Sequence, residues 1–182
     1  MEVNGYKIEP GANLERANLE GAYLEGADLT GADLSWANLK GVYLAGANLT
    51  DAKLGAASLS DAFLQGAILV GAVVAQTSLM HTNLFGADLA NALLMNSDLT
   101  GVNLNCANLT GTDLTNTQLV GAILTNANLT GAYLLGTDLT DADLTDANLT
   151  NAKLLNTKLI RTIMSGAITS PGIESWKMIK WS

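Results

Sequence analysis

The chain is poor in the residues that usually carry chemistry or interrupt structure. Its 182 residues include one cysteine, Cys106, one histidine, His81, and two prolines, Pro10 and Pro171. A lone cysteine excludes an internal disulfide and favours a reducing compartment. With one histidine and one cysteine there is no ligand pair at zinc spacing and no HExxH segment, so no metal, cofactor or catalytic triad is expected. The glycines form neither a GxGxxG nor a GxxxxGK phosphate loop. Charged residues make up 14% of the chain and the formal net charge is −8. Nine Lys and Arg against seventeen Asp and Glu argue against direct nucleic-acid binding, which needs cations facing phosphate. No run of eighteen apolar residues is present to cross a membrane. Met1–Pro10 shows no basic segment followed by an apolar one, as a signal peptide would. These absences predict a non-enzymatic cytoplasmic protein without membrane contact; a targeting peptide already removed would leave no trace.

What the chain does have is leucine on every fifth residue. Thirty positions from Leu14 to Leu159 keep this register, and twenty-nine are Leu, with Val74 the exception. The residue two before each is small: twenty-one Ala, six Thr, two Val and one Ser. A period of five fits neither regular element. On a helix the leucines would wander around the axis, and on a straight strand they would alternate faces. The chain must turn a corner within each pentad. Calling the Leu position i, residues i−2 and i share the inward face of a short extended segment. Residue i−1 points out, and i+1 and i+2 form the corner. The fillings agree, with Asn or Asp frequent at i−1, Thr at i+1, and Gly or Asn at i+2.

Stacked turns of this kind bury a continuous leucine column, and four short sides close a square around it. The stretches from Ala17 to Leu34 (ANLEGAYLEGADLTGADL) and from Thr125 to Leu144 (TNANLTGAYLLGTDLTDADL) resemble the pentapeptide-repeat family, A(D/N)LXX. The resemblance covers residues 11–160. It implies an all-β right-handed quadrilateral β-helix with four pentads per coil. Thirty pentads would then make about 7.5 coils, a rod roughly 36 Å long at the usual strand spacing.

An open β-helix exposes unpaired edges and its leucine column at both ends, so caps are expected. Residues 1–13 form the expected N-terminal cap, with Val3, Tyr6 and Ile8 as apolar plugs. The β-helix is expected over 14–164 and a capping tail over 165–182. Pro171 after Ser170 suits a helix start, so a short C-terminal helix is predicted. Two readings of this tail stand: a lid over the last coil, or a dimer contact, since some members of the resembled family pair through their C-terminal ends. We expect a monomer.

With twenty residues per coil, sequence converts into surface columns. Tyr23, Tyr43 and Phe63 are i−1 residues at twenty-residue spacing and should stack as an exposed aromatic ladder. On what reads as the adjoining register lie Val73, Leu93 and Tyr133, flanked by Met95, Leu135 and Leu155 at i+1. Ile68 and Val70 extend this face around one corner. Contiguous exposed apolar surface marks an interaction site. The candidate residues are therefore Val73, Leu93, Met95, Tyr133 and Leu135, then Tyr23, Tyr43 and Phe63, facing a protein partner that the sequence does not identify. A Thr column (Thr30, Thr50, Thr110, Thr130, Thr150) is interrupted by Val70 and Ala90 and lacks the paired ranks of an ice-binding surface. Asp138, Asp141, Asp143 and Asp146 are the densest acidic cluster, without calcium-loop spacing. They read as a solvated edge.

One branch of the resembled family mimics DNA and binds gyrase or topoisomerase IV. A mimic should carry carboxylates densely along the rod. Between residues 34 and 137 only Asp51, Asp61, Asp88, Asp98 and Asp113 stand against Lys40 and Lys53. That branch also often has Phe at i and an inserted loop, and this chain has neither. DNA mimicry is therefore the alternative to an apolar protein-binding scaffold.

Overall fold

The computed structural model describes residues 1–170. The chain begins with a hairpin, β1 (Glu2–Val3) paired antiparallel with β2 (Tyr6–Lys7). Asn4 and Gly5 join them with φ of 52° and 80°, the pair of positive values that an Asn-Gly hairpin turn requires. The Met1 amino group donates to the Ile8 carbonyl at 3.0 Å, and the Ile8 N–H donates back to the Met1 carbonyl at 2.7 Å. Ile8 is buried, and Val3 and Tyr6 pack against the same core.

From Asn13 onward the backbone coils. Single-residue parallel bridges join each i−1 position to the one twenty residues later, from Asn13↔Asp33 to Asp143↔Ile163. The series ends with β3 (Asn148–Leu149) parallel to β4 (Ile168–Thr169). Twenty residues per repeat of the pairing means four five-residue sides. We number them by their first rung: side 1 from Asn13, side 2 from Asn18, side 3 from Tyr23 and side 4 from Asp28. Among the described residues every element is a strand, as befits the right-handed β-helix of this architecture. The short helix expected over 171–182 lies outside the described residues.

Each side is an accounting of five backbone amides. Around Leu39, the i−1 amide (Asn38) donates back to Ala17 at 2.9 Å. The amide of Leu39 itself donates forward to Ser58 at 2.8 Å, and that of Gly41 forward to Ser60 at 3.0 Å. The amide of Val42 closes the corner on the Leu39 carbonyl at 3.1 Å. Such a corner needs a positive φ at its third residue. Every i+2 residue from Gly11 to Gly166 has one, including Trp36 (62°), His81 (56°) and Cys106 (59°). The fifth amide, at i+1, has no backbone partner. All sixteen Asn and Asp residues at i−1 turn their Oδ1 to accept from it, for example Asn48 from Thr50 at 3.1 Å. The Asx preference at i−1 is thus a hydrogen-bond requirement of the corner.

The core holds the leucine column with the small i−2 residues packed between. Where i−2 is Thr or Ser, the hydroxyl is buried but bonded, as a polar group in this core must be. Thr77, Thr82, Ser97, Thr112, Thr137, Thr157 and Thr162 donate to Leu or Val carbonyls of the preceding coil at 2.6–2.8 Å. Thr117 donates within its own coil to Leu114.

Candidate functional site

The aromatic ladder forms as the register requires. The Tyr23 and Tyr43 rings stack at 4.7 Å and the Tyr43 and Phe63 rings at 4.9 Å, within 9° and 8° of parallel. These are the strand spacings of the coil beneath them. The ladder lies on side 3 and ends at Asn83, which bridges to Phe63.

One expectation is corrected. Val73, Leu93 and Tyr133 were placed on the register adjoining the ladder. They bridge in the Asn13 phase, two sides away, so with four sides per coil they lie on the opposite face. The period of five counts sides, and a difference of ten residues in phase is two corners.

The apolar face also divides. Val73 bridges to Leu93, but Leu93 bridges to Asp113 and Asp113 to Tyr133. One patch therefore comprises Val73 and Leu93 on side 1, with Met95 at the following corner and Ile68 and Val70 reached around the preceding one. Ile68, Val73 and Leu93 are exposed, while Val70 and Met95 are half-buried. The second patch is Tyr133 with Leu135 and Leu155, beyond the Asp113 rung. Sequence columns missed Phe85, exposed at the corner between sides 3 and 4, and Trp36, exposed at the corner between sides 1 and 2. Neither belongs to a column of apolar residues at i−1. Ile123 and Ile163 on side 3 are exposed too and were legible at i−1.

The patch shares a backbone feature with the other rungs that lack Asn or Asp at i−1. Where i−1 is Asn or Asp, the corner amide is bonded. At Ile68, Val73 and Leu93 the side chain offers no acceptor, so the amides of Val70, Ala75 and Met95 forgo that bond. Residues 62–87 also contain no Asp, Glu, Lys or Arg. More than one full coil of the rod is thus without formal charge.

Two of the four residues of the acidic cluster are tied to the next coil. Asp138 pairs with Lys158 at 3.0 Å and Asp141 with Arg161 at 2.5 Å. Burial of Asp138 works to raise its pKa. The Thr140 hydroxyl and amide and Lys158 outweigh it, so the net shift is downward. Asp141 is held low by its bond to Arg161. Among the described residues no group of three His, Cys, Asp or Glu could hold a metal ion. His81 sits at a corner with its imidazole over Gly101 of the next coil, and Cys106 is an exposed corner. The hydroxyls of Thr30, Thr50, Thr110, Thr130 and Thr150 donate to the Asx residue of their own rung at 2.6–2.7 Å. No helix of the described residues is long and apolar enough to cross a membrane.

Comparison with known proteins agrees with this architecture. The model of the family described as pentapeptide repeats matches in eight copies, over residues 11–46, 47–84, 77–116, 107–146 and 127–166. No curated protein matches. Among solved structures, a trypsin-treated form of QnrB1, a plasmid-mediated fluoroquinolone resistance protein, is 19% identical. It aligns over 91% of this chain and 90% of its own, with a TM-score of 0.62. At that identity the likeness is one of fold. HetL, a pentapeptide repeat protein involved in heterocyst differentiation regulation from the cyanobacterium Nostoc sp. strain PCC 7120, is 30% identical over 88% of this chain and 92% of its own, with a TM-score of 0.30. Rfr23 from the cyanobacterium Cyanothece 51142 is 35% identical over 60% of each chain, with a TM-score of 0.27. With the family model matching nearly the whole length of the coil, this chain belongs to the pentapeptide-repeat family.

Proposed function

We propose that the protein is a non-enzymatic scaffold that binds a protein partner through the apolar patch of Ile68, Val70, Val73, Leu93 and Met95. The observation that carries this reading is at the corner amides. Asn or Asp at i−1 satisfies the following amide everywhere it occurs, and these rungs give that bond up for exposed aliphatic surface. Local stability favours the polar residue, so partner binding is the reading that accounts for the apolar one. Tyr133 with Leu135, and the Tyr23, Tyr43 and Phe63 ladder, are secondary contacts. In the same reading the rod has about 7.5 coils, residues 1–13 cap one end, 165–182 cap the other, and the molecule is a cytoplasmic monomer.

The alternative is a DNA mimic that binds a type II topoisomerase. Net charge of −8 and a fold shared with QnrB1 favour it. The charge-free middle of the rod opposes it. Affinity capture at low and high salt separates the two. A partner retained in high salt and lost with Leu93→Asp/Met95→Asp supports the apolar scaffold, because hydrophobic contact is not screened. A gyrase subunit kept by that double variant, but lost in high salt or on neutralising Asp88, Asp98 and Asp113, supports the mimic and rejects the patch.

A further inference from the structure

The hairpin plugs the N-terminal end of the core without completing the first coil. On side 2 it does pair: the Asn18 N–H donates to the Tyr6 hydroxyl at 3.3 Å, and Asn4 Nδ2 reaches the Asn18 carbonyl at 3.4 Å. On sides 3 and 4 it does not. In every later rung the i−1 amide donates back to the preceding coil, as Tyr43 does to Ala22 and Asn48 to Ala27. Among the described residues no coil pairs with Tyr23 and Asp28 from that side. Among the described residues their amides and carbonyls have no hydrogen-bond partner. Both residues are exposed. This is an unpaired parallel β edge two sides long, the kind of edge that natural sheets cover or blunt.

Two further features surround that edge. Tyr23 is the free end of the aromatic ladder. Tyr23 is 68% exposed, whereas Tyr43, with a ring on each side, is half-buried. Glu20 and Glu25 occupy the corners before and after Tyr23, and Asp28 lies on the next side. None of these three carboxylates has a cationic partner among the described residues. Glu20 accepts only from the Asn38 amide and Asp28 from Thr30. Their neighbours differ, since Glu9 pairs with Lys7, Glu15 with Arg16 and Asp33 with Lys53. Among the described residues the Asn13 amide on side 1 is also free, but Arg16 stands at its corner.

We propose that the open edge of side 3 at Tyr23 docks an extended, arginine- or lysine-bearing segment of a partner protein, added as the missing strand of that side. Main-chain bonds to Tyr23 supply the pairing, as in other strand-addition complexes. The open face of Tyr23 receives a cationic side chain, and Glu20, Glu25 and Asp28 complement its charge. A second copy of this chain is a poor occupant, because edge-to-edge pairing would bring two such carboxylate sets together. The site lies at one end of the rod, apart from the patch around Val73 and Leu93, and does not depend on it.

The test uses the full chain and a fluorescently labelled seven-residue peptide alternating valine and arginine. Two controls accompany it: its citrulline twin, which is isosteric but neutral, and a twin N-methylated at alternate amides, which cannot pair as a strand. Protein variants are Glu20→Gln/Glu25→Gln, Tyr23→Leu and, as an unaffected control, Leu93→Asp, with folding checked by circular dichroism. We expect saturable binding that weakens at least tenfold with either modified peptide, about fivefold or more with Glu20→Gln/Glu25→Gln and with Tyr23→Leu, and not at all with Leu93→Asp. No binding at millimolar peptide, equal binding of the citrulline or N-methylated twin, or concentration-dependent dimerisation abolished by Tyr23→Leu would each overturn the proposal. Because Leu93→Asp is predicted silent here, failure of this site and failure of the apolar patch are separately visible.

Discussion

Asn and Asp at the middle of a side bind the one amide that the coil leaves open. Asn48 accepts from both the amide and the hydroxyl of Thr50, at 3.1 and 2.7 Å. Asn48→Ala should therefore lower stability by about 1–2 kcal/mol, the net worth of one or two hydrogen bonds. Val73→Asn should do the reverse. It restores the acceptor for Ala75, so stability should stay equal or rise while partner capture falls. Urea unfolding of the two variants beside wild type measures both effects. If Val73→Asn proved destabilising, the apolar residue would serve the fold and the functional argument at that rung would fail.

At the scale of one element, the corner, two kinds of crowding can be tested. Residues at i+2 aim their side chains along the rod, so a glycine one coil on makes room. A Cβ at Gly101 would meet His81 Nδ1 at 2.5 Å, whereas at Gly121 it would meet nothing within 4 Å. Both have positive φ, +66° and +64°. Gly121→Ala should cost about 1 kcal/mol of backbone strain, and Gly101→Ala more. Removing the imidazole in His81→Ala/Gly101→Ala should bring the cost back to that of Gly121→Ala, a coupling that a double-mutant cycle reads directly. Buried hydroxyls differ in the same way. Ser97 Oγ accepts the Thr77 N–H at 3.1 Å and donates to the Val74 carbonyl at 2.8 Å. Ser97→Ala strands a buried amide and should cost about 1–3 kcal/mol. Thr137→Val should cost less, because the Leu114 carbonyl that Thr137 binds also receives the Thr117 amide and hydroxyl. Thermal unfolding of the pair in one buffer ranks them, and a larger loss for Thr137→Val would contradict the accounting.

At the scale of the whole molecule, charge sits at the ends and apolar surface in the middle. Asp28 and Asp33 near one end are held below the ordinary carboxylate value by their bonds to Thr30 and Ser35. Asp138 and Asp141 near the other are lowered as described above. A carboxyl whose folded pKa is depressed adds stability above its unfolded value. That stability is lost as pH falls through the folded pKa. The unfolding midpoint should therefore hold near neutrality and fall below about pH 4, where an unfolded aspartate takes up its proton. Asp138→Asn retains an acceptor for Thr140 but loses the ion pair with Lys158, so its midpoint should fall less steeply across that window than that of wild type. A parallel acid limb in the two proteins would show that the pair adds nothing to folding, as exposed ion pairs often do not.

The amino-acid sequence alone determined the architecture, because a five-residue period has one economical solution: Leu inward, the small i−2 residue beside it, and a corner at i+1 and i+2. It also placed the Tyr23, Tyr43 and Phe63 rings in one ladder, since a twenty-residue spacing is a contact once the coil is known. Which columns are neighbours follows only when the corners between them are counted, as the bridging made plain. Val73 and Leu93 lie across the rod from the ladder, and Asp113 separates Leu93 from Tyr133, because contiguity on a square coil depends on counting corners as well as rungs. Tertiary structure decided that the hairpin satisfies Asn18 and leaves Tyr23 and Asp28 open. Nothing in the local pattern of residues 1–30 distinguishes these rungs. The difference arises from where the plug settles over the end of the core, and that is set by packing of Val3, Tyr6 and Ile8.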